Sequence, residues 1–98
     1  MDEFEITCIV KDSSGMISHY GVKGYGIQNI AIIENLIREG SCSFFTYERE
    51  NKLNVYITTS PDGTIFLTTD PKGSIAKGLD FLPLLDKPLL RQLIESVR

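Results

Sequence analysis

The chain has 98 residues, the length of a single domain with a thin core. With 42% hydrophobic and 23% charged residues, its composition is that of a globular protein and excludes pervasive disorder. Ten basic and thirteen acidic side chains give a formal net charge of −3, and the basic ones form no run, so nucleic-acid binding is disfavoured.

Nothing in the sequence predicts a membrane segment. No apolar run approaches the roughly 20 residues that a span needs, and the acidic start Met1-Asp2-Glu3 is unlike a signal peptide. We therefore expect a cytoplasmic protein without membrane contact, with a single domain over residues 1–98.

The first part of the chain predicts a hairpin. Residues 3–11 alternate apolar and polar positions, which favours a strand with one face buried. The side chains expected on that face are Phe4, Ile6, Cys8 and Val10. Turn-forming residues follow at 12–15, and residues 17–20 are predicted to pair back on the first strand.

The segment 21–26 (GVKGYG) is the first candidate site, because its glycines let the backbone approach a ligand closely. The spacing matches neither a dinucleotide-binding fingerprint nor a phosphate-binding loop, so a plain connection into a helix is the stronger interpretation on spacing alone. Segment 21–26 is nevertheless expected to precede a helix N-terminus, where free backbone N–H groups and the helix dipole favour binding of an anion.

A helix is predicted over residues 28–39, where apolar side chains recur at spacings of three and four. The stripe consists of Ile30, Ile33, Leu36 and Ile37. Ile27 and Ile32 widen the stripe, and Gly40 ends the helix.

The next strand is predicted over residues 43–48, with Phe45 and Tyr47 on one face and Phe44 on the other. Residues 53–69 then predict two strands joined by a turn. In that turn Pro61 sets the required φ, and a glycine follows at position 63.

These elements predict an α+β fold, with a small antiparallel sheet of about five strands in the order ββαβββα, packed by one central helix. The core is expected over residues 3–85. Its register predicts one set of side chains buried together. They are Phe45, Val55, Ile57, Ile65 and Leu67, with Ile33 and Ile37 from the helix.

The end of the chain predicts an apolar patch and a second helix. The patch over residues 79–85 is interrupted by Pro83 and is expected across the sheet edge. An added amphipathic helix is predicted over residues 87–97, with Asp86 as its cap. Its stripe is Leu89, Leu90, Leu93, Ile94 and Val97. Such a stripe docks either on its own sheet or on a second subunit, so a homo-oligomer is one alternative.

Several short motifs occur in a fixed order. They are Ile6-Thr7-Cys8-Ile9, Ile17-Ser18-His19, Gly24-Tyr25, Glu39-Gly40, Ser60-Pro61-Asp62-Gly63 and Leu82-Pro83. In these motifs the chain resembles domain of unknown function 3892, a family of small bacterial and phage proteins, over residues 5–85. It differs in having Tyr25 where that family tends to have Trp. The resemblance implies the fold and a cytosolic or phage setting, and it implies no catalytic residue.

Enzymatic function is disfavoured. Cys8 and His19 could meet across the first hairpin as a nucleophile pair, but no third residue is evident to orient the histidine. Cys8 and Cys42 form no Cys-x-x-Cys pair and lie in apolar segments, so the plainer interpretation of both is a small buried hydrophobic residue. The sequence leaves the exposure of Cys42 open. A structural zinc site needs about four Cys or His ligands, so we expect no metal and no cofactor.

Binding is the favoured class. One hypothesis is a phage or bacterial protein that sequesters an anionic, nucleotide-like small molecule, held by aromatic faces, one cation and backbone N–H groups. The residues expected to bind it are His19, Tyr20, Lys23, Gly24, Tyr25 and Gly26. The alternative is a protein-interaction module, or an inhibitor of a host protein, that uses a strand edge or the C-terminal helix.

Overall fold

The computed structural model of the protein describes residues 2–85. Over these residues it has seven strands, one α-helix and one short 3₁₀ helix. The elements are β1 (Asp2–Lys11), β2 (Ile17–Val22), β3 (Gly26–Asn29), α1 (Ile30–Arg38), β4 (Cys42–Glu48), β5 (Asn51–Asn54), β6 (Tyr56–Thr59), β7 (Ile65–Thr68) and the 3₁₀ helix Ile75–Lys77. The helix predicted over 87–97 lies outside the described residues.

The strands form a five-stranded sheet in the order β3-β2-β1-β4-β5 and a separate two-stranded sheet of β6 and β7. The α+β prediction is confirmed, but the expectation of one antiparallel sheet is wrong, because β1 and β4 pair in parallel. A parallel pair requires a long crossover, usually helical, and α1 lies within the connection between these strands. The helix therefore covers one face of the sheet that it connects.

The helix begins two residues later than predicted. Residues 26–29 form strand β3 instead, which pairs antiparallel with β2. Asn29 caps the helix, because its Oδ1 accepts a hydrogen bond from the backbone N–H of Ile32 at 2.9 Å. The glycine-rich segment consequently leads into a strand rather than into a helix N-terminus.

A bulge in β1 changes which of its side chains are buried. Ile6 pairs with Val22 and Cys8 with Gly21, so Thr7 is an extra residue that shifts the alternation. Ile6 is therefore buried, whereas Cys8 is half-buried, and the prediction that Cys8 belongs to the core is wrong. The other cysteine, Cys42, whose exposure the sequence left open, is buried.

The strand predicted to start at Leu53 is two strands. It breaks at Val55, whose N–H donates to the carbonyl of Phe44 at 3.0 Å, and the chain then leaves the large sheet. The turn between β6 and β7 is confirmed, with Gly63 at φ 87° and its N–H donating to Ser60 at 2.9 Å. These strands pair antiparallel, with Ile57 opposite Leu67.

The core lies between the large sheet, α1 and the β6–β7 hairpin. Its buried members are Ile6, Ile9, Tyr20, Val22, Ile33, Cys42, Phe44, Val55, Leu67, Leu79 and Leu82. Ile37 and Ile57 pack against it half-buried. Ile65 is also half-buried. Phe45 was predicted to lie in the core, but it does not. The buried face of β4 carries Cys42, Phe44 and Thr46 instead. Phe45 packs on the other face against Tyr47, with ring centroids 5.7 Å apart.

The last described residues extend the sheet beside β1. The N–H of Ile9 donates to the carbonyl of Pro83 at 3.0 Å, and the N–H of Leu85 donates to the carbonyl of Ile9 at 2.8 Å. Leu82 is buried and Leu84 exposed.

Over residues 2–85, no helix has both the length and the apolar character needed to cross a membrane.

Candidate ligand-binding cleft

The glycine-rich segment is the turn between β2 and β3. The N–H of Tyr25 donates to the carbonyl of Val22 at 2.9 Å, which closes the turn. Gly24 and Gly26 have φ angles of 85° and 75°, a backbone region that other residues adopt at a cost. The two glycines are thus explained by the turn itself.

The six residues predicted as a site do not converge. His19 and Tyr20 are neighbours on β2, so their side chains point to opposite faces of the sheet. Tyr20 is only 2% exposed, and burial raises the pKa of its phenol above the ordinary value. The His19 ring bonds instead with the adjacent Ser18 hydroxyl, with 2.8 Å between Nδ1 and Oγ.

The turn residues themselves are exposed, and they differ in what they contact. The backbone N–H of Lys23 donates to Glu5 at 2.9 Å. Tyr25 is 62% exposed, and its ring packs edge-on against Phe4 with centroids 4.8 Å apart. Of the predicted set, Tyr25 is the residue that lines the cleft between the helix and the sheet.

This cleft has a volume of about 320 Å³ and lies between α1 and the ends of β1, β2 and β4. Its walls are mainly apolar and aromatic. The apolar side chains are Phe4, Val22, Ile32, Ile33, Leu36 and Phe44. Ile32 is 43% exposed, which is unusual for an isoleucine on the inner side of a helix.

Two contacts hold the aromatic wall in place. The Gln28 Nε2 donates to the carbonyl of Tyr25 at 2.8 Å and ties the turn to β3. Phe4 in turn packs between Tyr25 and Phe44, whose ring centroid is 6.0 Å from that of Phe4. Tyr25 is therefore exposed to solvent but fixed at the mouth of the cleft.

The polar groups of the cleft are few and include one carboxylate. Asp2, Gln28 and Ser41 line it, and among the described lining residues none is Lys, Arg or His. Burial, and then the charge of Asp2, raises the pKa of the Cys42 thiol, which keeps this cysteine protonated. The cleft can hold an apolar body but offers no acid–base pair.

Metal chemistry finds no support in the described part of the chain. Residues 2–85 contain no group of three or more His, Cys, Asp or Glu side chains arranged to hold an ion. The Asp62 carboxylate, for example, accepts hydrogen bonds from Ser60 and from the backbone N–H of Thr64 in its own turn.

Sequence reasoning missed most of the cleft because its residues carry a core pattern. Phe4, Leu36 and Phe44 are apolar positions of a strand or helix, and nothing in the alternation separates a filled core from an open one. The available signal was Ile32, an apolar residue that widens the helical stripe in the sequence and is 43% exposed in the structure.

Comparisons with models of known protein families, with curated proteins and with solved structures gave no match in any of the three searches. The resemblance to domain of unknown function 3892 therefore stays a prediction.

Proposed function

We propose that this chain is a non-enzymatic binding protein that holds a small molecule in the cleft between α1 and the sheet. The observation that carries the proposal is an open cavity of about 320 Å³ with apolar walls. Ligand sites in proteins typically measure about 300–1,000 Å³ and combine such walls with a few polar groups. The volume suits a ligand of one or two rings.

The exposed side chains at the mouth support the same proposal. Tyr25 and Ile32 keep 62% and 43% of their surface in water, although both border the cleft. A ligand that covers them removes apolar surface from water, which is worth about 25 cal/mol per Å² before the costs of association. Because the turn already fixes Tyr25, little additional order is needed on binding.

The charge of the ligand is a separate question. The sequence favours an anionic, nucleotide-like molecule, and Tyr25 supplies an aromatic face on which a base could stack. Lys23, however, is not among the lining residues, while the carboxylate of Asp2 is. The composition of the cleft thus favours a neutral or cationic ligand over an anion.

The experiment is a fluorescence titration with N-phenyl-1-naphthylamine, an uncharged two-ring probe that brightens in apolar sites. We expect saturable binding of one probe per chain. Ile32→Gln should weaken it by about tenfold, since a polar group then faces the ligand. Ile75→Gln is the matched control, because Ile75 is 44% exposed against 43% for Ile32 and lies outside the cleft.

A second pair of variants tests the aromatic wall. Tyr25→Ala should weaken binding, whereas Tyr47→Ala removes another exposed tyrosine from the opposite sheet face and should not. Absence of saturable binding, or equal losses in the test and control variants, would refute the proposal.

A protein-interaction module remains the alternative. The large sheet ends in β3 and β5, and within residues 2–85 no further strand pairs with their outer edges, which is where strand addition would take place. Both strands have only four residues, and β5 carries the charged Lys52, features that usually discourage edge pairing. This alternative would gain weight if the probe did not bind.

A further inference from the structure

We infer that the cleft selects positively charged ligands, and specifically an alkylated ammonium group attached to an apolar body. The inference rests on the proposed function of the cleft and concerns the charge of its ligand. It is carried by the Asp2 carboxylate and by the aromatic corner of Phe4 and Tyr25, which both border the cavity.

The first support is the charge of the lining. Asp2 contributes an exposed carboxylate, and no described lining residue carries a positive charge to offset it. The nearest basic side chain along α1, Arg38, is paired with Glu34 at 2.8 Å and does not line the cleft. An anion would therefore meet repulsion there, and a cation attraction.

The second support is the aromatic corner of Phe4 and Tyr25. Their ring planes lie at 80° to each other, so the two rings form perpendicular walls. A cation within about 6 Å of a ring face is attracted by the ring quadrupole, and cages of aromatic rings recognise quaternary ammonium groups. On the opposite face of the sheet, Lys52 already lies 4.5 Å from the Phe45 ring centroid.

The contrast between these two aromatic sites is informative. The chain supplies its own cation to Phe45, but over residues 2–85 it supplies none to Phe4 or Tyr25. The corner at the cleft therefore retains its capacity for a cation from outside.

The helix dipole favours neither charge. The cleft runs along α1 from Ile32 in its first turn to Ser41 just beyond its last, so both ends of the helix border it. The formal net charge of −3 adds an attractive field at longer range.

The size of the effect follows from these terms. An exposed cation–π contact and one solvent-exposed carboxylate together correspond to a preference of about three- to thirtyfold for a cation over a neutral molecule of the same shape. The carboxylate alone accounts for about two- to fivefold of it.

The test uses two ligands that differ only in charge, (4-hydroxyphenyl)trimethylammonium and 4-tert-butylphenol. Each is titrated against the full-length protein loaded with N-phenyl-1-naphthylamine, at about pH 6.5 so that both phenols stay protonated. We expect the ammonium compound to displace the probe at a three- to thirtyfold lower concentration, and that preference to shrink in 1 M salt.

Asp2→Asn should reduce the preference by about two- to fivefold, since it removes the charge and keeps the shape. Asp80→Asn is the control, because Asp80 pairs with Lys11 and lies outside the cleft. Equal or tighter binding of the neutral phenol would overturn the inference and leave the proposed function intact. An unchanged preference in Asp2→Asn would overturn the role of Asp2, and failure of the probe itself to bind would overturn the proposed function.

Discussion

Replacing Gly21 with alanine tests the register of the first hairpin directly. Gly21 is opposite Cys8, and a Cβ added at Gly21 would collide with the Cys8 Sγ. The next nearest atoms, Ile27 Cδ1 and Thr7 Oγ1, are each 3.6 Å away, which is ordinary contact. The φ of Gly21 is not in the left-handed region, so its backbone suits alanine and the collision is the sole obstacle.

Gly21→Ala is expected to change the free energy of unfolding in opposite directions in the native chain and in a Cys8→Ala background. In the native chain, Gly21→Ala forces Cys8 to move and should cost about 1–2 kcal/mol of unfolding free energy. In a Cys8→Ala background the Sγ is gone, and the remaining effect is the lower entropy of the unfolded chain. There the same substitution should stabilise by about 0.4–1 kcal/mol. The coupling between the two sites is then about 2 kcal/mol.

The assay is urea unfolding of four proteins: the native chain, Gly21→Ala, Cys8→Ala and the double variant. Their free energies of unfolding are compared at constant m-value. Gly24→Ala serves as the control, because Gly24 has a φ of 85° and no atom near its Cβ position, so its cost should not depend on Cys8. If Gly21→Ala had the same effect in both backgrounds to within about 0.5 kcal/mol, the pairing of Cys8 with Gly21 would be wrong.

Three further predictions concern single side chains. The Ser60 hydroxyl, and then backbone N–H groups, lower the pKa of Asp62 to about 2 from 3.8. The ionised Asp62 carboxylate therefore stabilises the fold above pH 3.8, and this contribution is lost as the pH falls towards 2. The melting temperatures of wild type and Asp62→Asn should consequently converge on acidification. Thr46→Val removes a buried hydrogen bond to the Ile6 carbonyl at 2.8 Å and should cost about 1–2 kcal/mol in urea unfolding. Ile33→Ala opens a cavity at a fully buried position and should cost about 2–5 kcal/mol by the same measurement.

Features that depend on neighbouring residues could be predicted from the sequence. The turn at residues 60–63 favours a proline at its second position and a glycine where φ is positive, and both occur there. The helix shows its apolar spacing within three turns, and Ile33 is buried as that spacing predicts. These elements are local, so tertiary structure had little scope to alter them.

Features that depend on pairing between distant segments could not be predicted from the sequence. The parallel pairing of β1 with β4 joins segments about 40 residues apart, and each strand has the same alternation in either direction. Val55 still bonds to Phe44 in the register of β4 and β5, and the chain leaves the large sheet only after it. Nothing in the apolar pattern of residues 53–59 marks this point. The bulge at Thr7 likewise becomes visible only when its partner strand is known.

The glycine-rich turn lies beside the cleft and contributes one residue to its lining. Its composition suggested that its backbone approaches a ligand, but Gly24 and Gly26 are required by the turn geometry. What the turn adds to the cleft is the position of Tyr25, which stands against Phe4 at the cavity mouth. A turn of this kind fixes one aromatic ring in water at low entropic cost, because Gln28 and the strand pairing already hold the backbone. Of the residues that the sequence singled out, Tyr25 therefore lines the cleft, and the other walls of the cleft come mainly from β1, β4 and α1.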